Sequence, residues 1–308
     1  MASSEFPYRQ PFDFARVYAT SGGAGMPIHT PQRLIEVRQQ YSSLRLNGSV
    51  HLTDLYGIKI SFTLVSYVGR AILTLERNGT TAELELRSGD LLHINTHTTM
   101  DLACQDPAMP EGCADLPHLR PLQFRAMKEM QRSCPFFFDI HWGSAVQTIP
   151  LDNALNFMRP LLESRTNKWE GSAVRVDLLH TLRQNAHNIK PVTRVICFGL
   201  GPLFSGPTYE RGFIQHLAAM DVARTLAQIQ GNIVTLFIQD VRYTPACKTL
   251  LTDHEPLINF ANSTVAQGFD LVNEHSFIIY LNSKAVILEP AIHIAGPAGS
   301  AGISSSWN

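Results

Sequence analysis

The sequence predicts an α/β protein. Its C-terminal half reads as a Rossmann-like, mostly parallel sheet with helices on both faces, and its N-terminal region as mixed β and α structure. Three observations predict this. The apolar run Val195-Ile196-Cys197-Phe198 enters Gly199-Leu200-Gly201 and then a long helical stretch, the strand–turn–helix opening of a nucleotide-binding type of layer. Further apolar runs after residue 151 alternate with stretches of helical period, as parallel strands require when their crossovers are helices. Residues 50–95 instead alternate apolar and polar side chains around Asn78-Gly79, the pattern of an antiparallel hairpin. The expected organisation is an irregular arm over 1–31, a mixed region over 32–150 and the α/β domain over 151–308.

The elements follow in order. The arm is rich in Pro, Gly, Ser and aromatic residues. Residues 30–43 read as a helix, with Pro31 in the first turn, where its missing N–H loses no bond. A strand is expected over 58–68. Ile72-Leu73-Thr74-Leu75-Glu76 and Ala82-Glu83-Leu84-Glu85-Leu86 supply two more, and the intervening Asn-Gly readily takes the two positive φ values of a type I′ turn. Pro107, Pro110, Gly112 and Pro117 mark 101–120 as a loop. A helix over 122–132 ends before Cys134-Pro135, and Phe136-Phe137-Phe138-Asp139-Ile140 reads as a buried strand.

In the α/β half, helices over 151–164 and 172–188 precede a strand over 192–198. Val174, Leu178, Leu179 and Leu182 share one face of the second helix. The long helix covers 207–230, with Phe213, Ile214, Leu217, Ala218, Met220 and Val222 forming its apolar stripe. A strand over 233–238, a helix over 246–251, a short strand within 262–268 and a strand over 276–281 complete the pattern. The tail over 296–308 is rich in Gly, Ser and Ala and is expected to fray.

Composition excludes several classes of function. The chain's 308 residues suffice for one large or two ordinary domains with a sizeable core. The 25 basic and 26 acidic residues cancel to −1, so no overall field draws nucleic acid or an anionic membrane. Five cysteines without a CxxC pair argue against a disulfide scaffold or zinc ribbon, and Cys197 reads as a core residue. Residues 1–11 lack the apolar centre of a secretory leader, and no run approaches the ~18 apolar residues of a membrane span. A cytoplasmic or nuclear setting is expected, with a small molecule or a protein as partner.

Candidate ligand-binding residues gather at the end of the strand over 192–198. Gly199, Leu200 and Gly201 would let the backbone turn sharply and approach a ligand closely, while the next helix start offers N–H groups to an anion. Glycines serving the turn alone would look the same. Phe204 stands where a dinucleotide fingerprint has its third glycine, and Pro202 lacks a donor, which argues against conventional NAD or FAD binding. Ser205, Thr208 and Arg211 are further candidates at the helix start, although Ser205 equally suits a helix cap.

Asp240 ends the next strand, where an acid faces the ligand crevice in such sheets, and Arg242 and Tyr243 follow it. Asp240 and Pro245 also suit an ordinary turn. Asp240, His216 and Glu210 are the candidates for titratable work. The twelve histidines show no HxH, HExxH or Cys/His spacing, so no metal ligands are assigned and no cofactor is named. GxSxG and P-loop motifs are absent.

Four segments together resemble the SRR1-like domain family, named for a plant protein of light signalling and the circadian clock. They are Val195-Ile196-Cys197-Phe198-Gly199-Leu200-Gly201, Gln215-His216-Leu217-Ala218, Ile238-Gln239-Asp240-Val241 with Tyr243, and Phe277-Ile278-Ile279-Tyr280-Leu281. The resemblance covers roughly residues 192–295, is closest to the fungal branch and does not extend to the N-terminal half. Val241 stands where the family has proline, and Asn282-Ser283-Lys284 replaces a His-Cys pair common in plant and animal members. The resemblance implies an intracellular regulatory protein, linked to circadian or light signalling or to haem metabolism, that binds a small ligand or partner at the strand-to-helix crevice. Two other functions stay open: a transferase or synthase using a nucleotide-containing or aminoacyl donor, and a haem- or metal-binding protein.

Overall fold

The computed structural model describes residues 30–45, 48–54, 57–67, 70–87, 91–96, 130–131, 134, 136–141, 150–203, 209–281 and 297–303. The loop expected over 101–120 lies outside them, as do the first 29 residues of the arm and most of the helix expected over 122–132. The chain divides into two compact units, Met1–Ser144 and Ala145–Asn308. It is a mixed α/β protein with both antiparallel and parallel sheets.

The first unit opens with helix α1 (Pro31–Arg45). Strands β1 (Ser49–Thr53), β2 (Lys59–Tyr67), β3 (Arg70–Arg77) and β4 (Thr80–Arg87) form an antiparallel sheet in sequence order. The β3–β4 turn is the expected one, with Asn78 at φ 49° and Gly79 at φ 76°. The period of two places Val50, Leu52, Ile60, Phe62, Leu73, Leu75 and Leu84 on one buried face. Leu34, Val37, Tyr41 and Leu44 line the buried stripe of α1. Strands β5 (Leu91–Thr96) and β6 (Phe136–His141) pair antiparallel. The Phe138 ring meets Phe62 edge-on at 4.9 Å, and Tyr41 Oη donates to the Leu92 carbonyl at 2.6 Å. Asp54 and Arg77 form a buried ion pair at 2.5 Å.

In the second unit, α2 (Leu151–Glu170) and α3 (Ala173–Asn185) precede β7 (Arg194–Phe198). Then come α4 (Tyr209–Gln230), β8 (Thr235–Gln239), α5 (Pro245–His254), β9 (Ile258–Phe260), α6 (Gly268–Leu271), β10 (Ser276–Leu281) and β11 (Gly299–Ile303). All five strands are parallel, in the order β11-β10-β7-β8-β9. The chain therefore starts in the middle of the sheet, steps outward through α4 and α5, and returns to the other side of β7. Alternation along β7 serves both faces. Val195 and Cys197 join the cluster shared with α2, α3, α4 and α5, whereas Phe198 stacks on Phe269 of α6 at 5.0 Å.

Three expectations are corrected. The helix expected to end at 164 continues to Glu170, because Leu162, Arg165 and Trp169 extend its buried face and Trp169 Nε1 donates to Asp221 at 2.8 Å. The short strand lies at Ile258–Phe260, ahead of the expected 262–268. There Asn262 Oδ1 accepts from the Thr264 N–H and Oγ1, folding the chain into a 3-10 turn. The tail does not simply fray: Gly299–Ile303 adds a fifth strand along β10. Ladder bonding needs only backbone, and a Cβ on Gly299 would fall 3.0 Å from the Phe277 ring, so a bare residue suits this register. Among the described residues, no helix is long and apolar enough to cross a membrane.

Candidate functional site at the tips of β7 and β8

Two glycines set the loop that leaves β7. Gly199 and Gly201 hold φ of 69° and 76°, left-handed conformations that other residues enter only with strain. The Gly199 N–H donates to the Gln239 carbonyl at 3.0 Å and carries the β7–β8 ladder one step further. The Gly201 N–H turns to the side chain of Asp240 and donates to Oδ2 at 2.9 Å. Leu200 and Leu203 anchor the loop below, both buried in the apolar cluster.

Asp240 is filled on every side. Its Oδ1 accepts from the backbone N–H and Nε of Arg242, both at 2.9 Å, and its Oδ2 accepts from Arg242 Nη2 at 2.9 Å as well as from Gly201. The carboxylate is only 4% exposed, whereas the Arg242 side chain is 45% exposed. Burial pushes the Asp240 carboxyl up, but the bonds and charge of Arg242 outweigh it and hold the group below the ordinary carboxylate range. Asp240 in turn raises Arg242, which stays a cation. The guanidinium lies over the loop: a Cβ on Gly201 would sit 3.3 Å from Nη2.

A second brace runs beneath. His216 of α4 is 1% exposed; its Nδ1–H donates to the Gly212 carbonyl at 2.6 Å, and its Nε2 accepts from Tyr243 Oη at 2.8 Å. Burial lowers the His216 pKa to about 4, so the ring is neutral at ordinary pH. Burial likewise drives the Tyr243 phenol well above its usual range, which keeps its proton on the donor side of that bond. Tyr243 packs edge-on against Phe260 at 5.4 Å. Gly212 closes the circuit, because a Cβ there would meet the Pro202 carbonyl oxygen at 2.3 Å. The glycine loop, the start of α4 and the segment after β8 thus interlock through two side-chain pairs.

Of the residues singled out from sequence, Gly199, Gly201, Asp240 and Arg242 come together. Leu200 belongs to the same loop, but its side chain enters the core. His216 is bonded at both ring nitrogens, below the loop. Ser205 and Thr208 lie outside the described residues, as do the side chains of Glu210 and Arg211. Two contributors escaped the sequence reading. An isolated glycine inside a helical pattern was the available signal for Gly212. Gln239 carried none, yet its Oε1 accepts the Gly268 N–H at 2.5 Å and ties α6 to β8.

A separate groove of about 480 Å³ runs between α2 and α5, lined by Arg159, Glu163, Asp253 and His254 among others. Its Arg159–Asp253 pair is half exposed, which gives it little electrostatic strength. No group of three His, Cys, Asp or Glu among the described residues is arranged to hold a metal ion. Comparison of the chain with protein-family models, curated proteins and solved structures yields no match.

Proposed function

We propose that the second unit is a Rossmann-type, SRR1-like module that binds a small ligand at the tips of β7 and β8 and acts as a regulatory protein. The observation that carries the binding reading is the preset glycine loop, with two left-handed glycines and the second amide pinned by Asp240. Sheet order adds support. Counted along the chain it runs 3-2-1-4-5, and β7, which bears the loop, borders the reversal where open parallel sheets take ligands beyond their carboxyl ends.

Binding is favoured over acid–base chemistry because the two described titratable candidates are committed. Asp240 spends its oxygens on four hydrogen bonds, and His216 spends both nitrogens. The regulatory part of the proposal rests on the SRR1-like resemblance of the β7, α4, β8 and β10 segments.

Native mass spectrometry of the chain purified from its own host tests this reading, with Gly201→Val as the control. A retained small molecule on the wild type, absent from the folded variant, is the expected result. A retained molecule that survives Gly201→Val would place binding elsewhere and refute it.

A further inference from the structure

Resting on that binding reading, we infer that the ligand is recognised through a phosphate monoester held by the outer edge of Arg242, with Asp240 as the positioning residue behind it. The usual task of an acid at the end of the second strand is to accept a ribose hydroxyl. Asp240 has no acceptor position left for one, because Arg242 and the Gly201 amide occupy both oxygens. The bonding polarity of this corner is therefore reversed. What it turns toward solvent is a donor.

Arg242 spends Nε and one N–H of Nη2 on Asp240. The remaining Nη2 proton and both Nη1 protons have no partner among the described residues, on a side chain that is 45% exposed. The carboxylate fixes the guanidinium plane, so the free edge is already oriented when an anion arrives. A planar fork with parallel donors matches the oxygens of a phosphate group, and pre-orientation lowers the entropy lost on binding. Nη2 stands 3.3 Å from where a Gly201 Cβ would sit, so the missing side chain makes the room the guanidinium occupies, and a side chain there would displace the fork.

The phosphate would belong to a nucleotide or to a smaller phosphorylated metabolite. Calorimetric titration of the full chain with adenosine monophosphate, adenosine and inorganic phosphate separates the two. Expected is binding of adenosine monophosphate, competition by inorganic phosphate and none by adenosine, with Arg242→Gln weakening it roughly ten- to a hundredfold. Binding of inorganic phosphate alone, equally lost in Arg242→Gln, would also support the site and point to a non-nucleotide ester.

Arg242→Gln also removes the partner of Asp240. Arg242→Lys, which keeps a cation there but loses the fork, is therefore the companion variant, and is expected to weaken phosphate binding while melting closer to the wild type than Arg242→Gln does. Binding of adenosine as strong as that of its monophosphate, sensitive to Gly201→Val but not to either Arg242 variant, would overturn this inference and leave the binding reading intact. Phosphate binding unchanged in both Arg242 variants would overturn it as well. A host molecule without phosphate, retained at the loop, would do the same.

Discussion

The Asp240 carboxylate accepts the Gly201 amide at 2.9 Å, joining the tips of two neighbouring strands through one side chain. The contact holds a left-handed glycine in place from the outside, where no ladder bond reaches. It also explains why an acid can stand at this strand end without meeting a ligand.

Asp240→Ala is expected to release the loop while leaving the sheet. The Gly201 amide loses its acceptor and Arg242 its partner, a loss of roughly 1–3 kcal/mol. Hydrogen exchange is the sensitive readout: the Gly201 amide should exchange much faster, and the Gly199 amide, bonded to the Gln239 carbonyl, should remain protected. Equal protection of Gly201 in both proteins would mean that Asp240 is not its brace.

Gly212→Ala sets two effects in opposition. In an isolated helix the change stabilises by ~1 kcal/mol. Here the new methyl would fall 2.3 Å from the Pro202 carbonyl oxygen, a backbone atom that moves only with the whole loop. Overpacking of this kind costs about 1–3 kcal/mol, so net destabilisation is expected in urea unfolding. A stabilised variant would show that α4 and the loop are not in tight contact.

His216 predicts a pH dependence. Its pKa is about 4 in the folded chain against 6.5 for an ordinary histidine, so the unfolded state binds the proton more readily between these values. Stability from this site is complete above about pH 6.5 and is lost as pH falls toward 4, by roughly 3 kcal/mol. Exchange of the β7 amides, compared between wild type and His216→Leu across this range, should give a difference that shrinks on acidification. A flat difference would contradict the buried neutral ring.

Removing residues 297–308 should matter more than their composition suggests. The deletion strips β11 from β10 and leaves an unpaired strand edge beside Phe277 and Ile279. A lower melting temperature and concentration-dependent light scattering are expected. A truncated chain that melts and scatters like the full one would show that β11 contributes nothing.

Much of the fold was legible from local chemistry. Asn78-Gly79 marked its own turn, and the helical period of Phe213, Leu217 and Met220 located the buried face of α4. The β11 strand was hidden because its pairing uses backbone alone, so Gly299 and Ser300 carry no apolar signal. At the site, Gly199, Gly201, Asp240 and Arg242 were visible as a strand-end motif. That Asp240 points inward to Arg242 was not, since an exposed acid and a saturated one read alike. Gly212 and Gln239 act through contacts with segments far along the chain, which no local pattern encodes.

A phosphate-bearing ligand is expected to settle against Arg242 beside the Gly199–Gly201 turn. Titrating adenosine monophosphate into the isotope-labelled full chain, while following backbone amides and the Arg242 Nε signal, tests it most directly. Saturable shifts are expected at Gly199, Gly201 and Arg242, with the amides lining the groove between α2 and α5 unmoved. Shifts confined to that groove, or silence at Gly201 and Arg242 while the ligand demonstrably binds, would contradict it.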